Sequence, residues 1–216
     1  MEDLTQPIST GMQTFPGDPA VTVESAATVA ADGYAVASVS LGSHTGTHVD
    51  APAHVFADGR TIDTYPPERF VFDAVRVDCR DLGPRAPIRA DSVPEADADC
   101  VVFWTGWDRH WGTPTYRDHP YLTAAAAERC VTHDLAVASD TLNPDPTPTA
   151  RATDHTPDPA EPDGVPAHER LLGNDRLVIE NLTGLGALPD QFELRAFPLA
   201  LGDDGAPVRA VGVPDA

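Results

Sequence analysis

The sequence predicts an α/β fold, a mixed sheet with few helices, in a single domain spanning residues 1–216. Three observations lead there. Segments of strand character recur along the whole chain, helical patterning is convincing in only two places, and one strand–helix–strand succession implies a parallel crossover. At 216 residues the chain can fill one large domain, and no linker-like stretch divides it.

The first nineteen residues have little periodicity and end in the turn Pro16–Gly17–Asp18–Pro19. Val21–Ser25 reads as a strand, and Ala30–Gly33 as a turn into a second, Tyr34–Leu41, whose apolar residues alternate. Val71–Cys79 alternates enough for a third. Cys100–Trp104 is apolar throughout, as a strand buried on both faces would be, and it runs into a loop where Trp107 or Trp111 could wall an aromatic pocket. Thr123 caps an alanine-rich helix, Ala124–Thr132, and Leu135–Asp140 follows as a strand. Asp140 ends that strand, where its carboxylate either orients a ligand or is simply solvated. Residues 143–166 form a long loop crowded with proline, threonine and aspartate, of the length that makes either a functional lid or a disordered excursion. Pro166 opens a short helix, Arg176–Leu182 reads as a strand with a polar end, and Phe192–Leu201 and Val208–Val213 complete the sheet.

Thirty-four acidic residues face fourteen basic ones, all arginine, for a net charge of −20. Such a surface repels nucleic acid and anionic membranes, so neither is an expected partner. It fits a solvated surface adapted to a high-salt cytoplasm, where short screening lengths remove the cost of self-repulsion. Cys79, Cys100 and Cys130 are too widely spaced for a thiolate metal site and odd in number, so they read as buried free thiols. Acidic residues follow Met1 without an apolar leader, and the expected location is cytoplasmic. Neither a Gly-x-Ser-x-Gly nucleophile motif nor a glycine-rich phosphate loop is present.

The chemistry concentrates in His44-Thr45-Gly46-Thr47-His48-Val49-Asp50-Ala51-Pro52-Ala53-His54, three histidines and an aspartate within eleven residues. Imidazole and carboxylate are the ordinary ligands of divalent metals. The run reads as a strand end and the loop after it. In a straight strand His44 and His48 would sit roughly 13 Å apart, too far to share an ion, so the backbone must bend between them, at Gly46. Pro52 then ends any ladder and sets His54 apart as a separate group. Late in the chain Glu180 is locally odd, a carboxylate after four residues of buried-strand character, and a buried carboxylate needs a cation or a donor. His110, His119 and His155 have no partner spacing and read as non-ligands.

This histidine run, with Phe15–Pro19, Thr105–Asp108 and Glu180–Leu182, resembles the signature of the cyclase-like metal hydrolases that include bacterial kynurenine formamidase and isatin hydrolase. The resemblance spans nearly the whole chain. It implies an open sheet of the swivelling β/β/α type, usually a homodimer. It also implies two divalent cations, Zn²⁺ or Mn²⁺, one held by His44, His48 and Asp50 and the other by a bridging Asp50, His168 and Glu180. His54 would be the general acid/base beside a metal-activated water, with a small aromatic amide such as N-formylkynurenine as substrate. Phe15 stands where the family usually has a pocket tryptophan, and it either stacks on the substrate or plugs the core; Trp107 is the second candidate substrate contact. The alternatives are a hydrolase of another cyclic amide or lactone, such as isatin, and a metal-binding protein without catalysis.

Overall fold

The computed structural model describes residues 1–148 and 160–214. The strands in chain order are β1 (Glu2–Asp3), β2 (Thr22–Ala27), β3 (Val36–Ser40), β4 (His48–Asp50), β5 (Val71–Asp78), β6 (Pro87–Ile88), β7 (Cys100–Trp104), β8 (Tyr121–Leu122), β9 (Ala136–Ser139), β10 (Val178–Glu180), β11 (Gln191–Pro198) and β12 (Gly205–Pro214). The α-helices are α1 (Val29–Asp32), α2 (Ala124–Thr132) and α3 (Pro166–Leu172). Eight strands form one sheet in the order β1-β12-β11-β5-β7-β9-β10-β4, and β4 pairs again with β12. The neighbours β5, β7, β9 and β10 run parallel, and the other pairings are antiparallel.

The expected open sheet is therefore corrected to a closed, barrel-like one. Closure depends on two strands that were not anticipated at full extent. His48–Asp50, hidden inside the histidine run, is itself a strand, wedged between β10 and β12. β12 begins three residues earlier than the pattern implied, and it is these residues, Gly205–Pro207, that pair with β4, while Val208–Pro214 pairs with β11. Conversely, the Tyr34–Leu41 strand does not carry the histidines into the sheet. As β3 it stops at Ser40 and forms a separate, largely exposed hairpin with β2.

Strand alternation divides the core in two. Inward residues include many small ones, Ala74, Cys100, Ala136, Ala138, Ala196, Ala206 and Ala210, which lets the ring close around larger ones such as Val49, Phe72, Ile179 and Leu194. On the outer face Val101, Phe103, Val137 and Val178 pack against Ala126, Ala127 and Cys130 of α2 and Ala167, Leu171 and Leu172 of α3. The parallel crossover is as read: β7 and β9 are parallel neighbours with α2 between them in sequence. Thr123 caps α2, its hydroxyl accepting from the Ala126 N–H at 3.2 Å. All three cysteines are buried and unpaired.

Because Val49 and Ile179 point into the barrel, their neighbours His48, Asp50 and Glu180 project from the other face, the one on which α3 packs. The antiparallel register sets Glu180 opposite His48 and Val178 opposite Asp50. The sheet thus delivers one imidazole and two carboxylates to a patch that α3 overhangs.

Candidate metal centre

Six side chains converge on that patch: His44 from the loop before β4, His48 and Asp50 from β4, His54 from the turn after it, His168 from α3 and Glu180 from β10. Gly46, at φ +62°, makes the expected bend, returning His44 toward β4 so that its Nδ1 lies 2.7 Å from Asp50 Oδ1. His48 Nε2 is 3.2 Å from Asp50 Oδ1 and 3.2 Å from Glu180 Oε2. From α3, His168 Nε2 lies 3.1 Å from Glu180 Oε1 and 3.5 Å from Asp50 Oδ2. Among the described residues three groups of three follow, each with ligand atoms within 4.8 Å of one another: His44–His48–Asp50 and Asp50–His168–Glu180, which share Asp50, and His44–His54–Asp204 beside them. His54, in the 3-10 turn Pro52–His54, stands beside them with its ring centroid 4.1 Å from that of His44 and 5.4 Å from that of His168.

The donor set fits divalent cations on a direct observation: Asp50 Oδ2 is fully buried in the middle of the cluster and makes no close hydrogen bond, with His168 Nε2 3.5 Å away. The far ring nitrogens fit equally well. His48 Nδ1 donates to Gly46 O at 2.8 Å, His168 Nδ1 to Asp145 Oδ2 at 2.8 Å, and His44 Nε2 to Asp204 Oδ2 at 2.8 Å. Each such acceptor fixes one tautomer and frees the opposite nitrogen as a lone pair aimed at the cluster. Burial alone would depress the three imidazoles. The surrounding carboxylates outweigh it, raising His44 to about 9 and pushing His48 and His168 well above the usual range. Asp50 and Glu180 are held low by the same histidines despite their burial. Protons thus gather where metal ions would otherwise balance the charge.

Over the cluster lies a cavity of about 240 Å³ with Phe15, Trp111, Leu142, Pro146 and Val165 on its apolar wall and His44, His48, His54, His168 and Glu180 on its polar side. Among the described residues that line it there is no arginine. Phe15 faces the cavity and packs with Trp107, Tyr116 and Leu142. Trp107 is placed otherwise than expected. It is 2% exposed, its indole N–H donates to Thr115 O, and it serves the core beneath the wall, leaving the cavity face to Trp111. Both indoles sit on one irregular turn, where residue spacing does not say which faces in. Asp140 is neither a ligand-orienting group nor solvated. It is buried and accepts from Thr105 N, Thr105 Oγ1 and Gly106 N, locking the loop under Trp107, while burial pushes its carboxyl up to about 6.

His119 is buried between Pro120 O and Thr147 Oγ1, and the His110 ring lies tilted against Trp107 with centroids 4.8 Å apart. His155 and the middle of the 143–166 loop lie outside the described residues; the described flank contributes Asn143, Pro146 and Pro148 to the cavity. Three polar residues without a sequence-assigned role also shape the site. Asp145 and Asp204 hold histidines, and Asn181, at φ +59°, donates to Gly46 O and accepts from Tyr116 Oη, tying the β10 end to the glycine bend.

The Cyclase family model matches residues 2–146. The chain belongs to the cyclase family. A curated family relative, the kynurenine formamidase of Salinibacter ruber, is 32% identical over 97% of this chain and 95% of its own length. A crystal structure of an isatin hydrolase bound to the product analogue thioisatinate superposes with a TM-score of 0.81 at 25% identity, covering 99% of this chain and 92% of that one. Isatin hydrolase A from Labrenzia aggregata, bound to benzyl benzoate, shares the fold with a TM-score of 0.83 at 21% identity, over 100% and 93% of the two chains. Among the described residues, no helix is long and apolar enough to cross a membrane.

Proposed function

We propose that this cyclase-family chain is a metal-dependent amidohydrolase of small aryl amides, foremost an arylformamidase that splits N-formylkynurenine into kynurenine and formate. The observation that carries the reading is the pair of three-residue groups sharing Asp50, whose Oδ2 is buried without a close hydrogen bond, beneath an aromatic-walled cavity. The formamidase relative, matched over nearly the full length of both chains, supports the choice of substrate class.

His44, His48 and Asp50 would hold one cation, and Asp50, His168 and Glu180 a second; imidazole and carboxylate suit Zn²⁺ and Mn²⁺ alike. Bound there, such ions polarise a carbonyl and lower the pKa of water from about 15.7 toward about 7. The chain's own residues do the rest. Phe15 and Trp111 offer faces on which an aryl ring stacks, orienting the amide toward the histidines. His54 lines the cavity outside the two groups that share Asp50, and its place there supports the role of proton carrier, although with His44 and Asp204 it forms a third candidate ligand group. The aniline nitrogen leaves only when protonated, and His54 delivers that proton as the C–N bond breaks. Such help is worth roughly 10²–10⁴-fold, so His54→Ala should lower kcat by that factor with metal content unchanged; lost metal would make His54 a ligand instead.

The likeness to an isatin hydrolase, at 25% identity over 99% of this chain, favours a second reading, a neutral cyclic amide such as isatin. Formate release from N-formylkynurenine and ring opening of isatin, both measured on the metal-loaded protein in high salt, separate the two. Turnover of neither would reduce the site to metal binding alone.

We assign the protein to the cytoplasm, with one functional unit over residues 1–216; three unpaired cysteines suit a reducing compartment. A homodimer is supported by the β2–β3 hairpin, which exposes Val23, Tyr34, Val36 and Val39, since a two-stranded ribbon is marginal alone. Residues 20–42 carry only Glu24 and Asp32 as charges, so copies of an acidic chain meet there with least repulsion. Sedimentation as a monomer would remove that assignment.

A further inference from the structure

Asp204 stands between two histidines of different duty. Its Oδ2 lies 2.8 Å from His44 Nε2 and 3.3 Å from His54 Nδ1. An ionised carboxylate only accepts, so both ring nitrogens must carry hydrogen toward it. For His44 this leaves Nδ1 facing Asp50. For His54 it leaves Nε2 as the nitrogen able to exchange a proton with a molecule in the cavity it lines. The carboxylate is itself well anchored. The backbone oxygen of Asp204 accepts from Ala51 N at 2.8 Å, and the next residue, Gly205, pairs with Asp50 across the sheet closure. The closing strand thus carries a group that registers His54 against the metal-binding strand.

We propose that Asp204 is a positioning residue that fixes the tautomer and ring orientation of His54 and ties it to His44, so that one carboxylate aligns the proton carrier with the first group of metal-binding side chains. This rests on the role given to His54 above. Asp204 touches neither the substrate nor the breaking bond in this role. It determines which nitrogen of His54 is presented to the leaving group.

The test combines long-range ¹⁵N–¹H imidazole spectra of the zinc-loaded full chain, with His54→Gln assigning the resonance, and steady-state kinetics on whichever of N-formylkynurenine and isatin is turned over. His54 should be an Nδ1–H imidazole in the wild type and shift toward Nε2–H in Asp204→Ala. At saturating zinc, Asp204→Ala should keep its metal and its KM and lose roughly 10–100-fold in kcat. Asp204→Glu should recover most of that loss, which excludes a mere packing defect. The double variant Asp204→Ala/His54→Ala should be no slower than His54→Ala alone, because both changes remove one device. The proposal falls if wild-type His54 is the Nε2–H form, if Asp204→Ala retains full kcat, or if the two losses multiply. It also falls if Asp204→Ala gives up an ion at saturating zinc, since the triad His44–His54–Asp204 would then be holding metal itself. Should neither substrate react, the assigned activity fails by itself, and the tautomer spectra still decide the role of Asp204.

Discussion

Asp145→Asn tests how the second group of three is held. The Asp145 carboxylate is 1% exposed and accepts three hydrogen bonds, from Ala167 N at 2.8 Å, His168 N at 3.1 Å and His168 Nδ1 at 2.8 Å. It thereby seats the first turn of α3 and the ring of His168 together. Asparagine has the same shape but one acceptor oxygen. With its NH₂ toward Ala167, two buried donors meet at the helix start. With its NH₂ toward His168, Nδ1 must give up its hydrogen and accept, which moves the proton to Nε2, the nitrogen that faces Glu180 and Asp50. Leaving one or two buried donors unpaired costs ~1–3 kcal/mol each, so an overall loss of about 2–4 kcal/mol is expected. The protein should still fold, and affinity for the second ion should fall roughly 10–100-fold while the first is retained. Competition with a chromophoric chelator, followed ion by ion, reads the affinities, and denaturant melting reads the stability. Equal affinity for both ions together with unchanged stability would refute the argument that Asp145 sets the His168 tautomer.

Three further outcomes follow from other features of the structure. His119 is buried neutral with its pKa lowered to about 4 by desolvation, against 6.5 for the free imidazole. The unfolded chain therefore takes up a proton first as pH falls, so stability present above 6.5 should drain away between 6.5 and 4. That contribution is about 3 kcal/mol at about 1.36 kcal/mol per pK unit, and it should be missing from the pH dependence of His119→Gln; parallel curves for the two proteins would contradict it. A Cβ at Gly205 would meet Val49 O at 2.8 Å, His44 Cε1 at 3.1 Å and Asp50 Oδ1 at 3.3 Å, so Gly205→Ala should cost ~1–3 kcal/mol and weaken metal binding, as calorimetric metal titration would report. A net charge of −20 should make the melting temperature rise as salt increases from about 0.15 M to about 1 M, where the screening length falls from about 8 to about 3 Å; a melting temperature indifferent to salt would remove the high-salt interpretation.

What the sequence disclosed and what it hid have physical reasons. His44, His48 and Asp50 were legible because three residues of metal-ligand type lie within seven positions, and helix α2 because an alanine run follows a capping threonine. His168 and Glu180 came from the family resemblance; by pattern alone only Glu180 stood out. Asp145 and Asp204 were invisible because their partners are 23 and as many as 160 residues away, and because a chain with 34 acids offers no local sign that one is buried or shared between two rings. Sheet closure was missed for a related reason: β4 is three residues long, and two of them are the candidate ligands His48 and Asp50, which read as chemistry and not as strand. Which of Trp107 and Trp111 faces the cavity was not legible because side-chain direction on an irregular turn depends on tertiary packing.

The central claim is that Asp50 serves two cations at once. Elemental analysis of exhaustively dialysed protein tests it most directly. The account predicts two ions per chain in the wild type, one in His168→Ala, and a joint loss of affinity for both in Asp50→Asn. A single ion in the wild type, or an Asp50→Asn variant that weakens one ion while leaving the other untouched, would contradict it.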